Sequence, residues 1–284
     1  MFSNTEGASN TAVGYQALFS NTTGNTNVAI GDSCATSNTT GTDNTAVGQF
    51  AFNVNTTGSD NTCVGAHSLD ANTSGVENVA IGRHAMSANT TGNSNTSVGM
   101  QALQANTTAA HNTAVGNHAL LSNTTAENNT AVGNAALEQN TTGGRNTAVG
   151  RDSGKSNTTG TNNVSMGAYS LRTNSTGIYN TAIGDSTYYN TTASNNTGCG
   201  YSAGYRTTSG EQSTAIGSQA LYENTTGSFN TAVGYEALNE NTTANHNTAV
   251  GKQALTVNTT GTQNNAFGSN TLVSNTTADN NNGF

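Results

Sequence analysis

A glycine recurs at Gly14, Gly31, Gly48, Gly65, Gly82, Gly99, Gly116, Gly133 and Gly150, each time after Val or Ile and each time 17 residues after the last. The series continues through Gly167, Gly184, Gly200, Gly217, Gly234, Gly251 and Gly268, and only the step from Gly184 to Gly200 is short, at 16 residues. The chain is therefore sixteen copies of one unit, N-T-A-V-G-x-x-A-L-x-x-N-T-T-G-x-x, whose positions define slots one to seventeen. A fixed period of this kind marks an architecture in which each repeat packs only on its neighbours. Seventeen residues is too short for a helix–turn–helix repeat, and the Gly and Asn-Thr-Thr segments break any helical period. A β-solenoid coil fits. N-T-A-V and x-A-L-x are expected as short strands, with the slot-five Gly turning the chain. N-T-T-G would form a second corner, where Asn and Gly tolerate positive φ. Coils pairing at about 4.8 Å would make sixteen of them a rod roughly 77 Å long. The expected fold is all-β, a parallel β-solenoid or β-roll of about sixteen coils, as one repetitive domain over residues 1–284.

Composition agrees. Hydrophobic residues are 32% of the 284, too few for a conventional core. Charged residues are only 8%, and proline is absent, so the chain does not read as disordered either. Proline cannot donate to a β ladder, and its absence suits a backbone paired along nearly its whole length. The net charge of −8, with 7 Lys and Arg against 15 Asp and Glu, offers no basic patch and argues against nucleic acid. No stretch approaches 18 apolar residues, and Met1-Phe2-Ser3-Asn4 opens with neither a basic nor an apolar leader segment. No membrane span is expected.

Stacking places each slot above itself, so identical side chains form columns. Asn10, Asn27, Asn44 and Asn61 begin a slot-one column, and Asn21, Asn38 and Asn55 begin a slot-twelve column. Amide ladders satisfy one another along such an axis and hold the corners. Gly14, Gly31 and Gly48 begin the turning column at slot five. The apolar slots are three (Ala), four (Val or Ile), eight (Ala or Ser) and nine (Leu). Adjacent strand residues face opposite ways, so Ala12 with Val13, and Ala17 with Leu18, cannot share one interior. Two apolar faces follow, one filling the coil and one needing a cover, which argues for lateral self-association.

The unit N-T-A-V-G-x-x-A-L, with its variants Asn27-Val28-Ala29-Ile30-Gly31 and Asn78-Val79-Ala80-Ile81-Gly82, resembles the head repeats of trimeric autotransporter adhesins. Those heads carry an S-V-A-I-G strand in a shorter coil; here the N-T-T corner is extra. It is also similar to arrays in the shafts of phage tail fibres and large bacterial surface proteins. The resemblance covers nearly the whole chain. It implies a left-handed β-roll, homotrimeric, located outside the cell, on the cell surface or on a virion tail. Its task would be to project and attach, with a cell-surface glycan or protein receptor as partner. It carries over no residue-level binding site, and the stalk, anchor and chaperone segments of such proteins are not in this sequence. Met1 enters at slot nine and Phe284 leaves at slot four, which reads as a segment of a longer fibre or as a unit that stacks end to end into a filament.

Chemistry-bearing motifs are weak beside this. Gly200-Tyr201-Ser202-Ala203-Gly204 matches the nucleophile elbow G-x-S-x-G, but it is five slots of a coil with no helix to follow. Cys34, Cys63 and Cys199 replace Ala or Val and read as small buried hydrophobes. His67, His84 and His118 share slot seven, a column otherwise filled by solvent-type residues. Neither catalysis, cofactor nor metal is expected. Slot-twelve asparagines, among them Asn21, Asn72, Asn89, Asn174, Asn190 and Asn258, are formal N-x-S/T sequons read as turn chemistry. The Thr-Thr pairs at slots thirteen and fourteen raise ice binding as a rival, weakened because only one Thr of each pair can face outward. The irregular coil at about 185–213 gathers Tyr188, Tyr189, Tyr201 and Tyr205, expected as a contact patch or a kink.

Overall fold

The computed structural model describes all residues, 1–284, as two compact units, Met1–Gly144 and Arg145–Phe284. In the first unit eight strands, from β1 (Thr11–Val13) to β8 (Thr130–Val132), pair in parallel, each with the strand one coil on. In the second, nine strands from β9 (Thr147–Val149) to β17 (Asn282–Gly283) do the same. Like slots lie opposite one another, Thr11 with Val28, Ala12 with Ala29, Val13 with Ile30. The chain is all-β, a parallel solenoid whose coils are those of the sequence period, and no helix occurs.

Each coil holds one strand, at slots two to four, and not the two expected. Slots six to eleven turn instead, because slots seven and nine adopt left-handed backbone. Gln16 (φ 54°) and Leu18 (φ 48°) are repeated by Ser33 and Ala35, Phe50 and Phe52, His67 and Leu69. Left-handed backbone costs an L-residue roughly 1–2 kcal/mol. It persists here because its amides are bonded between coils, Ser33 N–H to Tyr15 O at 2.8 Å and Leu18 N–H to Cys34 O at 3.1 Å. The alternation argument therefore holds inside the strand, where Ala29 is buried and Ile30 exposed, and fails for Ala17 and Leu18, which are both buried.

The second corner also differs from expectation. None of its N-T-T-G residues has positive φ; the left-handed residue there is slot seventeen, as at Thr26 (φ 56°) and Asp43 (φ 56°). Slot fifteen is Gly or Ala, packed against the slot-twelve amide: with nothing else moved, a Cβ on Gly24 would approach Asn21 Oδ1 to 2.5 Å, so a coil with Ala here, as at Ala109, must hold that amide differently. Slot five does need glycine's freedom. Gly14 has φ 128°, and a side chain on it would meet the carbonyl of Gly31. The interior is narrow and half amide: slots three, eight and nine supply Ala, Ala and Leu, and slots one and twelve supply buried Asn.

Candidate functional site

Three features could carry function: the interior amide columns, the outward side of the strands, and the irregular coil. The amide columns are structural clamps. Asn27 and Asn38 both donate through Nδ2 to the carbonyl of Gly41, at 2.8 and 3.0 Å, closing one coil from two sides. Between coils Asn38 Nδ2 donates to Asn21 Oδ1 (2.9 Å) and Asn55 Nδ2 to Asn38 Oδ1 (2.7 Å). In the slot-one column Asn10 Oδ1 accepts from Asn27 N–H (2.9 Å), and Asn44 Oδ1 accepts from Asn61 N–H (3.0 Å). Asn21, Asn72, Asn89, Asn174 and Asn258 are buried. Their amides are consumed inside the coil, so these sequons offer no acceptor for a glycan in the folded chain. Slot-thirteen threonines are also committed, Thr22 Oγ1 donating to Thr39 O at 3.1 Å and Thr39 Oγ1 to Thr56 O at 2.9 Å.

The outward side of the strands is an apolar column at slot four. In the first unit it contains Val13 (56% exposed), Ile30, Val64 and Ile81; in the second Met166, Ile183, Ile216 and Phe267. Thr or Val at slot two lies half-buried beside it at Val28, Thr45, Val79, Val164 and Thr214. The alternation of the strand puts these side chains outside and Ala inside, so the coil cannot bury both. No charge interrupts slot four in either unit.

The irregular coil is compensated packing. The missing residue is at slot fourteen, between Thr192 and Ala193. Thr192 Oγ1 donates to Thr208 O (3.2 Å) as a slot-thirteen residue does, and Asn180 Nδ2 donates to Ala193 O (2.8 Å) as to slot fifteen. Asn190 is thereby at slot eleven, outside the amide column, and buried Thr191 and Thr207 take slot twelve in two successive coils. The strand register survives, with Thr181 opposite Thr197 and Ile183 opposite Cys199. Tyr188 is completely buried, its hydroxyl donating to Ser213 O at 3.2 Å. Gly198 replaces Ala and Gly204 replaces Leu around its ring: a Cβ on Gly198 would lie 2.7 Å from Tyr188 Cε2, and one on Gly204 would collide with the ring outright.

Tyr188 is thus a core residue, which removes it from the expected contact patch. Tyr201 is exposed at slot six, while Tyr189 and Tyr205 stack on one another at slot ten, ring centroids 5.2 Å apart. Sequence reasoning missed Tyr222, which extends that stack at 5.3 Å, and Arg172, whose Nη1 donates to Tyr189 Oη at 2.9 Å. Reading slot ten down the column would have found both.

The remaining motifs form no site. Ser202 is buried at a left-handed turn. The rings of His67 and His84 stack 5.0 Å apart at 15°, and His67 Nδ1 pairs with Asp70 at 3.0 Å. No group of three His, Cys, Asp or Glu gathers to hold a metal. Burial pushes the Cys34 thiol up to about 11 and raises the Cys63 thiol as well. Cys199 corrects the expectation of three buried thiols, being exposed at slot four. Comparison of the chain with protein-family models and with characterised proteins returns no match.

Proposed function

We propose that the chain is a structural fibre segment for surface attachment, of the kind found in bacterial adhesin heads and shafts or phage tail fibres, with no catalytic role. In this reading it works outside the cell, on a cell surface or a virion tail. It assembles with copies of itself, as a trimer, through the slot-four column. The observation that carries the reading is that column: Val, Ile, Met or Phe presented outward on coil after coil, in register and uncharged. A monomer rarely leaves a contiguous apolar patch of more than a few hundred Å² in water. A homo-oligomer covers it symmetrically, each copy offering the same stripe.

Light scattering with negative-stain microscopy on the purified chain is the test. A discrete trimer-sized particle supports the reading. Ile81→Lys together with Ile216→Lys, one in each unit, should shift it to monomer while the melting transition stays cooperative. Filaments of constant width and open length would favour a self-polymerising filament subunit instead. A monomer at all concentrations would overturn lateral assembly.

A further inference from the structure

The second unit carries a surface whose chemistry the repeat does not require. Slot ten in the other coils is mixed, polar at Ser87, Gln104, Asn239 and Thr256, apolar at Leu121 and Val273, and aromatic at Phe2 and Phe19, which stack at 5.2 Å, so stacking the coils needs no long run of aromatics there. Yet four successive coils place Arg172, Tyr189, Tyr205 and Tyr222 in this slot. All four are half-buried, and Tyr205 and Tyr222 lie nearly parallel, at 8°. Tyr169 flanks the head of the ladder, 6.3 Å from Tyr189. Arg151 lies over the Tyr169 ring at 4.5 Å, and Arg172 over the Tyr189 ring at 5.5 Å.

The charge state of these arginines points to a ligand. Arg206 is paired with Glu223 at 3.0 Å. Arg151 and Arg172 make no ion pair, although the second unit holds 7 carboxylate side chains for its 6 Lys and Arg. Two guanidiniums without counter-ions are held in place by aromatic rings, which is how Arg is presented for bidentate capture of a carboxylate. Arg172 donates to Tyr189 Oη, so the phenol's own proton is free to donate outward. The ladder repeats at 5.2 and 5.3 Å, comparable to the length of one hexose residue. Tyr and Arg are also the residues that most often anchor binding surfaces.

We infer that the slot-ten ladder of the second unit, Arg172, Tyr189, Tyr205 and Tyr222 with Arg151 at its head, binds an acidic polysaccharide, its carboxylates on the guanidiniums and its sugar rings along the tyrosine edges. This deepens the attachment reading by naming a ligand class and rests on that reading only for the ligand's place on a surface. A sparsely charged glycan suits two guanidiniums on a unit that is otherwise close to neutral. A nucleic-acid strand, with one phosphate per nucleotide, carries more charge than two guanidiniums can meet, and the second unit, with 6 Lys and Arg against 7 Asp and Glu, has no net positive charge to neutralise the rest.

Isothermal titration of the full chain with oligogalacturonate, hyaluronan oligosaccharide and oligosialic acid tests this, with the methyl ester of the first as its uncharged twin. The expected result is binding to at least one carboxylated chain and none to the ester. Arg172→Gln should weaken binding about tenfold or more, the range of one charged hydrogen bond, and Tyr205→Ala, which removes the middle edge of the ladder, should weaken it measurably. Tyr189→Phe, which keeps the ring and loses the proton, should weaken it by less. Gln104→Ala, the same slot in the first unit, should leave it unchanged. Circular dichroism and melting of each variant identify any that fail to fold, and Arg172→Gln, at a surface side chain, keeps the test open if Tyr205→Ala does. Failure of the wild-type chain to bind any of the three, equal binding to the ester, folded variants that bind like wild type, or equal competition by oligothymidylate would each overturn the proposal. Light scattering of the same samples reports assembly separately, so loss of the glycan site and loss of the fibre reading are distinguishable.

Discussion

Leucine is an unexpected residue to find in left-handed backbone, yet Leu69, Leu103, Leu120 and Leu238 all have φ between 48° and 51°. The strain is tolerable because the turn drives the side chain into the core, where burial contributes about 1.5–3 kcal/mol. The same slot explains the irregular coil. Tyr188 occupies it with a ring too large for its own coil, and Gly204 in the next coil gives up the volume. The two positions should therefore couple. Tyr188→Leu alone should destabilise by about 2–4 kcal/mol through a cavity. Gly204→Leu alone should cost at least about 2 kcal/mol by overpacking. The double variant, which restores the usual Leu-on-Leu column, should recover most of both losses. Urea unfolding of the three variants measures this, and simple additivity would refute the pairing. Each departure was visible in the sequence, as a Tyr for Leu and a Gly for Leu. Their complementarity was not, because it depends on which slot lost the residue, and the strand register hides that loss in the corner.

At the scale of the coil, the period, a strand in N-T-A-V and the Asn columns were legible, because a repeated amide satisfies itself along a stack; that the columns point inward was not. The second strand was not. Slots six to eleven read as x-A-L-x, an apolar run, and nothing in Ala or Leu announces a positive φ; only the paired burial of Ala17 and Leu18 reveals it. The clamp gives a direct test of the register. Asn72 donates to Asn55 Oδ1 (3.0 Å) and Gly75 O (3.1 Å) and accepts from Asn89 (2.9 Å), all buried. Asn72→Ala should cost about 2–4 kcal/mol, since each buried partner left unpaired costs on the order of 1–3 kcal/mol. Asn190→Ala should stay within about 0.5 kcal/mol, as at other surface positions. Thermal unfolding compares them. Equal losses would return Asn190 to the column and overturn the slot-fourteen deletion.

At the scale of the whole molecule, stability rests on neutral groups, and its pH dependence should follow. The groups that burial perturbs most, Cys34, Cys63 and Tyr188, are acids held neutral, with folded values raised above the ordinary ones. Their contribution is fully present below the unfolded values, about 8.5 for a thiol and 10 for a phenol. It is lost as pH rises toward the folded values, because the unfolded chain then releases protons that the folded chain retains. For Cys34 that window runs from pH ~8.5 to about 11. The melting temperature should accordingly be nearly flat from pH ~5 to 8 and fall above ~9; a steeper loss on the acid side would contradict the assignment. The third thiol reports on assembly. Cys199 lies in the same slot-four column as Ile183 and Ile216, one coil from each, so whatever covers the column covers it too. A maleimide should label Cys199 alone in the folded chain, and Cys34 and Cys63 only on unfolding. If copies associate through slot four, Cys199 labelling should slow as protein concentration rises, and Ile216→Lys should restore the fast rate. Salt should barely alter this protection, because no charged residue occupies the column. Labelling at Cys199 that is fast in an assembled sample would place the contact on another face and leave the apolar column without its partner.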